Sequence, residues 1–492
     1  MSTSRAGSNS WQSAVSGSNP KLATAMEAAI SASAEVGRVG RRILQRIWDP
    51  EPANDRTANE PVWCLGRSYT LDTKEYGSPP TLSSSTPPTD TPLDAVVKAA
   101  APAPAGKPPI PAASTGGALD QTQQQDLDTP PDSEASSFDS SLAYEDPGQD
   151  GGWPPAFLDD FESRIWMTYR TNFEVIPRSA DPKAASSLSM RMRIMTSFSD
   201  QTGFSSDTGW GCMIRSGQSL LANAMLITRA GRDWRRTTDP NVEREILSLF
   251  ADDPRAPYSL HNFVKHGAVA CGKYPGEWFG PSATARCIQA LSEQHDSLLR
   301  VYLTRDLPEV YEDSFMAIAN PDGQQFHPTL ILVSTRLGID KINPIYNEAL
   351  IATLQLPQSI GIAGGRPSSS HYFIGAQGKW LFYLDPHHPR PLLPYRENPN
   401  EYTTEELDSC HTRRLRHLHV EDMDPSMLIG FLIKDEDDWD LWKSSVKHVQ
   451  GKAIISVLPH DPERGMGLGR AGAIDEVETL SDEDDSDTMI EV

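Results

Sequence analysis

The chain has 492 residues, and its 67 acidic side chains outnumber 44 basic ones, which gives a formal net charge of −23. Because phosphate binding depends on clustered Lys and Arg, this charge argues against a nucleic-acid-binding protein and favours a basic protein partner. No run of about 18 apolar residues occurs, so no membrane-spanning helix is predicted.

Five cysteines lie far apart in the sequence, without the short spacings of a disulfide framework or a zinc site. They are Cys64, Cys212, Cys271, Cys287 and Cys410. An odd number of scattered cysteines is typical of a reducing compartment, so we expect an intracellular, cytoplasmic protein. No metal ion or other cofactor is predicted.

Residues 1–60 are predicted to form an N-terminal extension with an amphipathic helix. The apolar face of this helix consists of Val36, Val39, Ile43, Leu44 and Ile47. Beside that face lie Arg38, Arg41, Arg42 and Arg46. Two interpretations stay open: the helix packs on the folded domain, or it makes transient contact with an anionic membrane surface. A transit peptide is a further alternative, because residues 1–50 are rich in Ser, Ala and Arg and poor in acids.

Residues 78–149 differ in composition from the chain around them, since Pro79 to Pro147 contain 13 of the 40 prolines and few aromatic residues. Such a segment cannot bury enough apolar surface to offset the entropy of ordering, so we predict a disordered insertion. Residues 461–492 are predicted to be a disordered acidic tail, with nine Asp or Glu and no Lys or Arg from Ala471 to Val492. The folded domain is therefore predicted at 61–77 and 150–460.

The folded part is predicted to be one mixed domain, helical before about residue 325 and rich in strands after it. The first half has a predicted strand at Pro61–Tyr69 and three predicted helices: Phe157–Thr171, a helix from Trp210 to a C-cap at Gly231, and a helix that follows Gly280. The second half begins with a buried strand at Thr329–Thr335 and a helix opened by Asn343 and Pro344. It continues with strands at Ser359–Ala363, His371–Gly375, Trp380–Asp385 and Leu428–Lys434, and ends with an acidic helix at Asp435–His448. The three strands after residue 359, joined by short turns, predict an antiparallel meander.

Cys212 is the candidate nucleophile. It follows Gly209 and Gly211 and precedes the predicted helix, so its thiol lies in the first turn. There the helix dipole and free backbone N–H groups favour the thiolate, and the same N–H groups can stabilise an oxyanion. The other four cysteines lack this glycine turn, and we expect them to be small buried apolar residues.

A thiol hydrolase also needs a base, which the Asp385-Pro386-His387 run can supply at the end of a predicted strand. Residues two apart in an extended chain project to the same side, so Asp385 can orient the His387 imidazole. The alternative is a strand-ending turn in which Asp385 caps its own backbone and both His387 and His388 are solvated. Metal binding through His371, His387 and His388 is a further alternative, which we do not favour.

Several motifs, in the same order, resemble the autophagin family of cysteine proteases. They are DTGWGCMIRSGQ at 207–218, GEWFGPS at 276–282, HYFIG at 371–375 and DPHH at 385–388, with PVWCLGRSY at 61–69 and WMTYRTNF at 166–173. The resemblance covers 61–77 and 153–445. It implies an α+β, papain-like fold whose helical half carries the nucleophile and whose other half is a mostly antiparallel sheet.

The resemblance also implies roles for individual residues. Cys212 is then the nucleophile, His387 the general base, Asp385 its orienting carboxylate, and Tyr169 a partner of the Cys212 backbone N–H in the oxyanion hole. Trp278 would cover the cysteine, and a lid would be formed by Gly364, Gly365, Arg366 and Pro367. For Trp278 the alternative is a buried core tryptophan. For the Gly364–Pro367 segment it is a simple loop between strands.

The function implied by the resemblance is cleavage after the C-terminal glycine of the ubiquitin-like autophagy modifier, both to mature it and to release it from phosphatidylethanolamine. The expected partner is that modifier, free and conjugated, in the cytoplasm, with the nucleus and the autophagosome assembly site as further locations. Two alternatives remain: a protease of another ubiquitin-like modifier, and a non-catalytic module that binds the modifier.

Overall fold

The computed structural model describes residues 51–54, 60–70, 151–189, 192–193, 202–295, 299–366 and 369–463. The predicted N-terminal helix, the proline-rich insertion and the acidic tail beyond Glu463 lie outside these ranges. All the described residues fall in the same structural unit.

The helices in the described ranges differ in length and mostly precede the large sheet in sequence. They are α1 (Pro155–Glu162), α2 (Pro182–Ser187), α3 (Cys212–Ala230), α4 (Pro240–Ser248), α5 (Leu260–Ala270), α6 (Pro281–Gln294), α7 (Glu312–Ala319), α8 (Asn347–Gln355), α9 (Thr404–Asp408) and α10 (Glu436–Lys447), with short 3-10 turns at Pro344–Tyr346, Pro399–Glu401 and Val420–Asp422. No helix in this part of the chain is long and apolar enough to cross a membrane.

The strands are concentrated after residue 300. They are β1 (Val62–Cys64), β2 (Arg67–Tyr69), β3 (Arg170–Pro177), β4 (Gly203–Ser206), β5 (Arg300–Leu303), β6 (Glu309–Tyr311), β7 (Thr329–Arg336), β8 (Ser359–Arg366), β9 (Ser369–Gln377), β10 (Trp380–Leu384), β11 (Arg390–Pro391), β12 (His417–His419), β13 (Ser426–Ile433) and β14 (Ser456–Leu458).

The main sheet has the strand order β12-β10-β9-β8-β13-β7-β5, and the β1–β2 hairpin attaches to β9. Its neighbours are antiparallel except for the parallel pair β5–β7. Strands β8, β9 and β10 form the predicted meander, while β13 lies between β8 and β7. The prediction of a mostly antiparallel sheet is confirmed.

Helices cover both faces of this sheet. On one face α3 packs across β8 and β9, where a Cβ atom at Gly430 would lie only 3.1 Å from Leu220 of α3. The other face is covered by apolar residues of α8 and α10, including Leu350, Trp439 and Trp442. Helix α3 is buried without interruption from Cys212 to Ile227, so its first residue is fixed by the core and not by a surface loop.

Several predicted helices and strands are confirmed with small changes in their bounds. Helix α3 begins at Cys212 and ends before the C-cap Gly231, and α6 follows Gly280. Asn343 caps a 3-10 turn that leads into α8. Strand β7 and helix α10 lie where the apolar run and the acidic helix were predicted.

The prediction of a single helix at Phe157–Thr171 was wrong in its second half. Helix α1 ends at Glu162, and the chain then runs extended into β3. The backbone N–H of Ile165 donates to Asn223 Oδ1 at 3.0 Å and that of Met167 to Ser219 Oγ at 2.9 Å. Because these partners come from α3, they replace the hydrogen bonds that a continued helix would form.

The single strand predicted at Pro61–Tyr69 is a tight hairpin. Leu65 and Gly66 both have positive φ, 39° and 78°, as a two-residue hairpin turn requires. At Gly66 a Cβ atom would lie 2.2 Å from the Leu356 carbonyl oxygen, so no larger side chain fits there.

The folded region also extends past its predicted limit at residue 460. Asp461 is buried, and its carboxylate lies 2.8 Å from the guanidinium of Arg305. Its backbone N–H donates to Asp313 at 3.1 Å. The start of the predicted tail is therefore part of the domain as far as Glu463.

Candidate active site

The Cys212 thiol is presented by a tight turn at the start of α3. The Asp207 carbonyl accepts the N–H groups of Trp210 at 3.2 Å and Gly211 at 2.9 Å, and Gly209 has a φ of 91°. A Cβ atom at Gly211 would lie 2.6 Å from Asp207 Oδ2, so both glycines are required by the local geometry. Among the described residues no side chain caps the N-terminus of α3, which leaves its backbone N–H groups available beside the sulfur.

Asp385 and His387 lie directly after β10 and contact each other as predicted from their spacing. Asp385 Oδ1 accepts the backbone N–H of His387 at 3.0 Å and lies 2.6 Å from His387 Nδ1. The same oxygen therefore caps the turn and orients the imidazole. The capped turn of the alternative interpretation is present, but His387 is bonded to Asp385 and is not simply solvated.

The extended segment before β3 holds this turn in place. Trp166 Nε1 donates to the Asp385 carbonyl and the Tyr169 N–H donates to the Pro386 carbonyl, both at 2.9 Å. The Thr168 hydroxyl lies 2.7 Å from the Pro386 carbonyl oxygen. The segment that sequence periodicity favoured as helix thus fixes the candidate base relative to the nucleophile.

Cys212 and His387 each stabilise the charged form of the other. Burial alone would raise the pKa of Cys212, but the hydrogen bond and charge of His387, with hydrogen bonds from the Ser370 N–H and Tyr169, lower the pKa below its usual value. Burial alone would lower the pKa of His387, but Asp385 and the Cys212 sulfur raise it to about 9. Both shifts favour a resting pair of thiolate and imidazolium.

Asp385 remains ionised at working pH. Burial would raise its pKa, but hydrogen bonds from His387 and His388 outweigh burial and hold the pKa well below its usual range. Arg416 Nε lies 3.7 Å from its second oxygen. The nearby His371 is in the opposite state, because burial lowers its pKa to about 3 and keeps the ring neutral.

Tyr169 lies against both members of the pair. Its buried hydroxyl is hydrogen-bonded to the Cys212 sulfur, and burial together with the charge on that sulfur raises the pKa of Tyr169. The phenol therefore stays protonated and acts as a donor. Its ring meets His387 edge-on, with centroids 5.3 Å apart. A protonated donor beside the nucleophile is what the implied oxyanion role needs.

Trp278 lies just before the Gly280 N-cap of α6. Its ring packs against the main core but remains partly exposed, so it is not an enclosed core tryptophan. The indole Nε1 is buried and has no hydrogen-bond partner among the described residues. The preceding Glu277 forms a buried ion pair with Lys273 at 3.0 Å, which fixes the backbone beside the ring.

The predicted Gly364–Pro367 turn needs correction. Gly364, Gly365 and Arg366 belong to β8 and pair with β9, and Pro367 lies outside the described residues. A Cβ atom would lie 2.9 Å from Met427 Cβ if added at Gly364, and 2.1 Å from the Ser369 carbonyl oxygen if added at Gly365. The glycines therefore permit close packing of strands. Residues 364–366 are therefore part of the sheet, and a lid role for the segment stays a prediction.

One group of side chains has the composition of a metal site. His371, Asp385 and His387 each offer a ligand atom, and these atoms lie within 4.8 Å of one another. The group differs from the trio considered from the sequence, which included His388. A metal ion here would take the Asp385 and His387 atoms that bond each other at 2.6 Å, and so would compete with the catalytic pair.

The geometry agrees with comparisons to known proteins. A model of the peptidase C54 catalytic domain matches residues 154–445, more than half of the chain. The chain belongs to the peptidase C54, or autophagin, family. The fold and the cysteine peptidase activity implied by the motif resemblance are thereby confirmed.

Curated relatives of this autophagin match over nearly their whole length. A probable cysteine protease ATG4 of Podospora anserina is 77% identical over 512 aligned residues, which cover 100% of both chains. Cysteine protease 1 of Neurospora crassa is 70% identical, with 98% of each chain covered. A cysteine protease ATG4 of Pyricularia oryzae is 61% identical and covers 95% of this chain and 100% of its own.

Sequence reasoning missed two residues at the start of β9. Ser369 Oγ lies 3.2 Å from His387 Nε2, and the backbone N–H of Ser370 donates to the Cys212 sulfur. These contacts depend on the pairing of β9 with β8 and β10. A run of serines carries no catalytic pattern of its own, so no signal in the sequence distinguished them.

Proposed function

We propose that this autophagin cleaves after the C-terminal glycine of the ubiquitin-like autophagy modifier and also releases the modifier from phosphatidylethanolamine. The observation that carries the proposal is the buried Cys212 thiolate paired with the partly exposed His387 imidazolium beside the ionised Asp385. In both substrates the glycine carbonyl is bonded to an amide nitrogen. One nucleophile and one proton donor therefore serve both reactions.

The proposed reaction has two halves. Cys212 Sγ attacks the glycine carbonyl carbon, and the developing oxyanion is stabilised by the Tyr169 hydroxyl and the N–H of Cys212. The C–N bond then breaks, and the proton on His387 Nε2 passes to the leaving nitrogen. Water next gives a proton to Nε2 and attacks the thioester, which frees the modifier and restores the thiolate.

The two alternative functions are less well supported. A non-catalytic binding module has no use for a thiol of lowered pKa paired with an imidazole of raised pKa. A protease of another ubiquitin-like modifier would share this chemistry, but the names of the relatives refer to ATG4 cysteine proteases. For its location we propose the cytoplasm, with the nucleus and the autophagosome assembly site as further locations.

The decisive experiment compares the wild-type chain with its Cys212→Ala variant on a modifier extended at its C-terminus, and on vesicles that carry the modifier linked to phosphatidylethanolamine. Mass spectrometry should locate a cut directly after the glycine with both substrates, and only in the wild type. Cys287→Ala, which removes another fully buried thiol, serves as the matched control and should retain activity. A cut elsewhere, or equal cleavage by Cys212→Ala, would contradict the proposal.

Trp278 is proposed to narrow the entrance to the Cys212 sulfur, so that the substrate residue before the cut must be glycine, which has no side chain. The wild type should then cleave a modifier ending in Gly at least tenfold faster than one ending in Ala, since a poorly placed acyl carbon can cost about 10²-fold. Replacing Trp278 by Ala should reduce that ratio.

The matched control is Trp380→Ala, which removes a tryptophan that is 45% exposed at the far end of β10. It should leave the Gly-to-Ala rate ratio unchanged. Equal rates for the two substrates in the wild type would contradict the narrow entrance. A stability loss in Trp278→Ala without a change in the ratio would assign the ring to packing alone.

A further inference from the structure

Ser369 is the first residue of β9, and its backbone pairs with Arg366 of β8. Its hydroxyl oxygen lies 3.2 Å from His387 Nε2. The other ring nitrogen, Nδ1, is 2.6 Å from Asp385 Oδ1. The His387 side chain also bonds the Cys212 sulfur, and because Nδ1 is taken by Asp385, we assign this bond to Nε2. His387 Nε2 therefore has two neighbours, the nucleophile and a serine hydroxyl.

The His387 ring is held so that this edge keeps its direction. Asp385 fixes Nδ1, the Tyr169 ring meets the imidazole edge-on with centroids 5.3 Å apart, and the neutral His371 ring lies 5.1 Å away. A proton on Nε2 can thus be passed only along the edge that faces Cys212 and Ser369.

Ser369 is fixed relative to the nucleophile through the next residue. The Ser370 N–H donates to the Cys212 sulfur, and the Ser370 hydroxyl bonds Ser216 Oγ of α3 at 3.1 Å. The first two residues of β9 therefore contact both members of the catalytic pair. The Ser369 hydroxyl keeps its place at Nε2 without help from substrate.

We propose that Ser369 is a positioning residue for proton transfer. Its hydroxyl accepts a hydrogen bond from the Nε2 proton of His387 once the sulfur has attacked. It lies beside the position that the leaving nitrogen, and later the hydrolytic water, would occupy. The proposal rests on the cysteine peptidase activity and not on the choice of modifier. It gives Ser369 a role in both halves of the reaction.

The chemistry explains why an acceptor is needed there. When the Sγ–C bond forms, the sulfur loses its negative charge to the carbonyl oxygen and becomes a poor acceptor for the Nε2 proton. The Ser369 oxygen can accept that proton's hydrogen bond until the C–N bond breaks and the proton moves to the leaving nitrogen. The imidazole is then neutral at Nε2, and the serine hydroxyl can donate to it until water arrives and returns a proton.

Among the described residues, none of the titratable or charged groups near His387 can replace this hydroxyl. These groups are Cys212 of α3, Asp385 after β10, His371 of β9 and Tyr169 before β3, with Arg416 and His388 behind the Asp385 carboxylate. Asp385 is bound at Nδ1, His371 is neutral, and Tyr169 donates to the sulfur. Within the described ranges, only Ser369 offers an oxygen acceptor to Nε2.

The test uses Ser369→Val and Ser369→Thr, which have the same shape and differ only in the hydroxyl. The first measurement is the rate of alkylation by iodoacetate against pH, which needs no protein substrate. The anionic reagent is drawn to the imidazolium, so its rate falls as His387 loses its proton near pH 9. In Ser369→Val the imidazolium loses one hydrogen bond, so this fall in the alkylation rate, the upper limb of the pH profile, should shift to lower pH by about half a pH unit to one pH unit. In Ser369→Thr the limb should stay in place.

The second measurement is turnover of the C-terminally extended modifier. Ser369→Val should lower kcat about tenfold with little change in KM, because the hydroxyl acts on proton transfer and not on substrate binding. Ser369→Thr should restore kcat. Ser359→Ala removes a buried serine hydroxyl from the far end of β8, where it accepts the Gly361 N–H at 3.3 Å, and should change neither measurement.

Equal alkylation profiles and equal kcat for the Val and Thr variants would overturn the proposal, as would a shift of the same size in Ser359→Ala. The alkylation profile separates this proposal from the choice of substrate. If the modifier is not cleaved but the limb still moves in Ser369→Val alone, the proposed substrate fails and the role of Ser369 stands.

Discussion

Replacing His387 by alanine is expected to lower kcat/KM by roughly 10²–10⁴-fold, the usual contribution of a general acid–base group. The structure gives His387 both functions, because it bonds the Cys212 sulfur and lies 2.6 Å from Asp385. Without the imidazolium the thiol would return toward its ordinary pKa, and the leaving nitrogen would lack a proton donor. Binding of the modifier to the variant should be nearly unchanged, as measured by titration calorimetry.

Asp385→Asn should cost a similar factor. The amide keeps the shape of the carboxylate but loses the charge that stabilises the imidazolium and its tautomer. The matched control is His388→Ala, since His388 Nε2 lies 3.4 Å from the other oxygen of the same carboxylate. It should change kcat/KM by no more than a few-fold. If His388→Ala were the damaging change, the assignment of His387 as the base would be wrong.

The pH profile of the wild type has a direction that follows from the same contacts. Activity requires the thiolate, so it should rise as the pH passes the lowered pKa of Cys212. It also requires the imidazolium, so it should fall as the pH passes about 9, the raised pKa of His387. In Asp385→Asn the upper limb should move to lower pH, because the neighbour that raises the pKa of His387 has lost its charge.

The parts of the site that the sequence predicted are those whose partners are close along the chain. Gly209 and Gly211 indicated a turn before a helix, and α3 begins at Cys212. Asp385 and His387 are two residues apart at a strand end, which places both side chains on one side. In each case the local backbone conformation was enough to fix the geometry.

The parts that it did not predict depend on contacts between distant segments. The spacing of apolar residues from Phe157 to Thr171 matched a helix, but α3 supplies Asn223 and Ser219 as partners for the backbone after residue 163. Tertiary hydrogen bonds thus outweighed a local periodicity. The position of Tyr169 beside Cys212 followed only from the motif resemblance.

The glycine pair at 364–365 shows a second limit of local patterns. Two adjacent glycines followed by Arg and Pro are typical of a turn. In the sheet they allow β8 to approach β9 and β13, where a Cβ atom at Gly365 would lie 2.7 Å from His371 Nδ1. A sequence read by itself cannot tell a glycine needed for a turn from one needed for close packing.

Arg215→Ala is expected to be strongly destabilising. The guanidinium is 1% exposed, and it lies 2.7 Å from Asp207 and 2.8 Å from Asp252, whose side chains are also buried. Burial would lower the pKa of Arg215, but the two carboxylates raise it and keep the group charged. Removal leaves two buried carboxylates without a counter-charge, which costs about 3–5 kcal/mol.

That loss should lower the melting temperature by roughly 6–20 °C, at about 2–4 °C per kcal/mol. The control is Arg255→Ala. It breaks an ion pair with Asp253 of the same 2.7 Å length, but the arginine of that pair is 60% exposed. This variant should leave the melting temperature nearly unchanged. The comparison shows whether burial, and not the count of ion pairs, sets the effect.

The pH dependence of the Arg215→Ala defect distinguishes stranded charge from lost packing. Burial already raises the pKa of the Asp207 carboxyl group, and the guanidinium of Arg215 opposes that rise. Without Arg215 the folded-state pKa of Asp207 moves further above the value of about 4 in the unfolded chain. The folded variant then binds more protons than the unfolded one, so its stability rises as the pH falls through this raised pKa. The difference in melting temperature from the wild type should therefore be larger at pH 8 than at pH 5. A difference that stays constant over this range would attribute the loss to the cavity, because the transfer of apolar surface does not depend on pH.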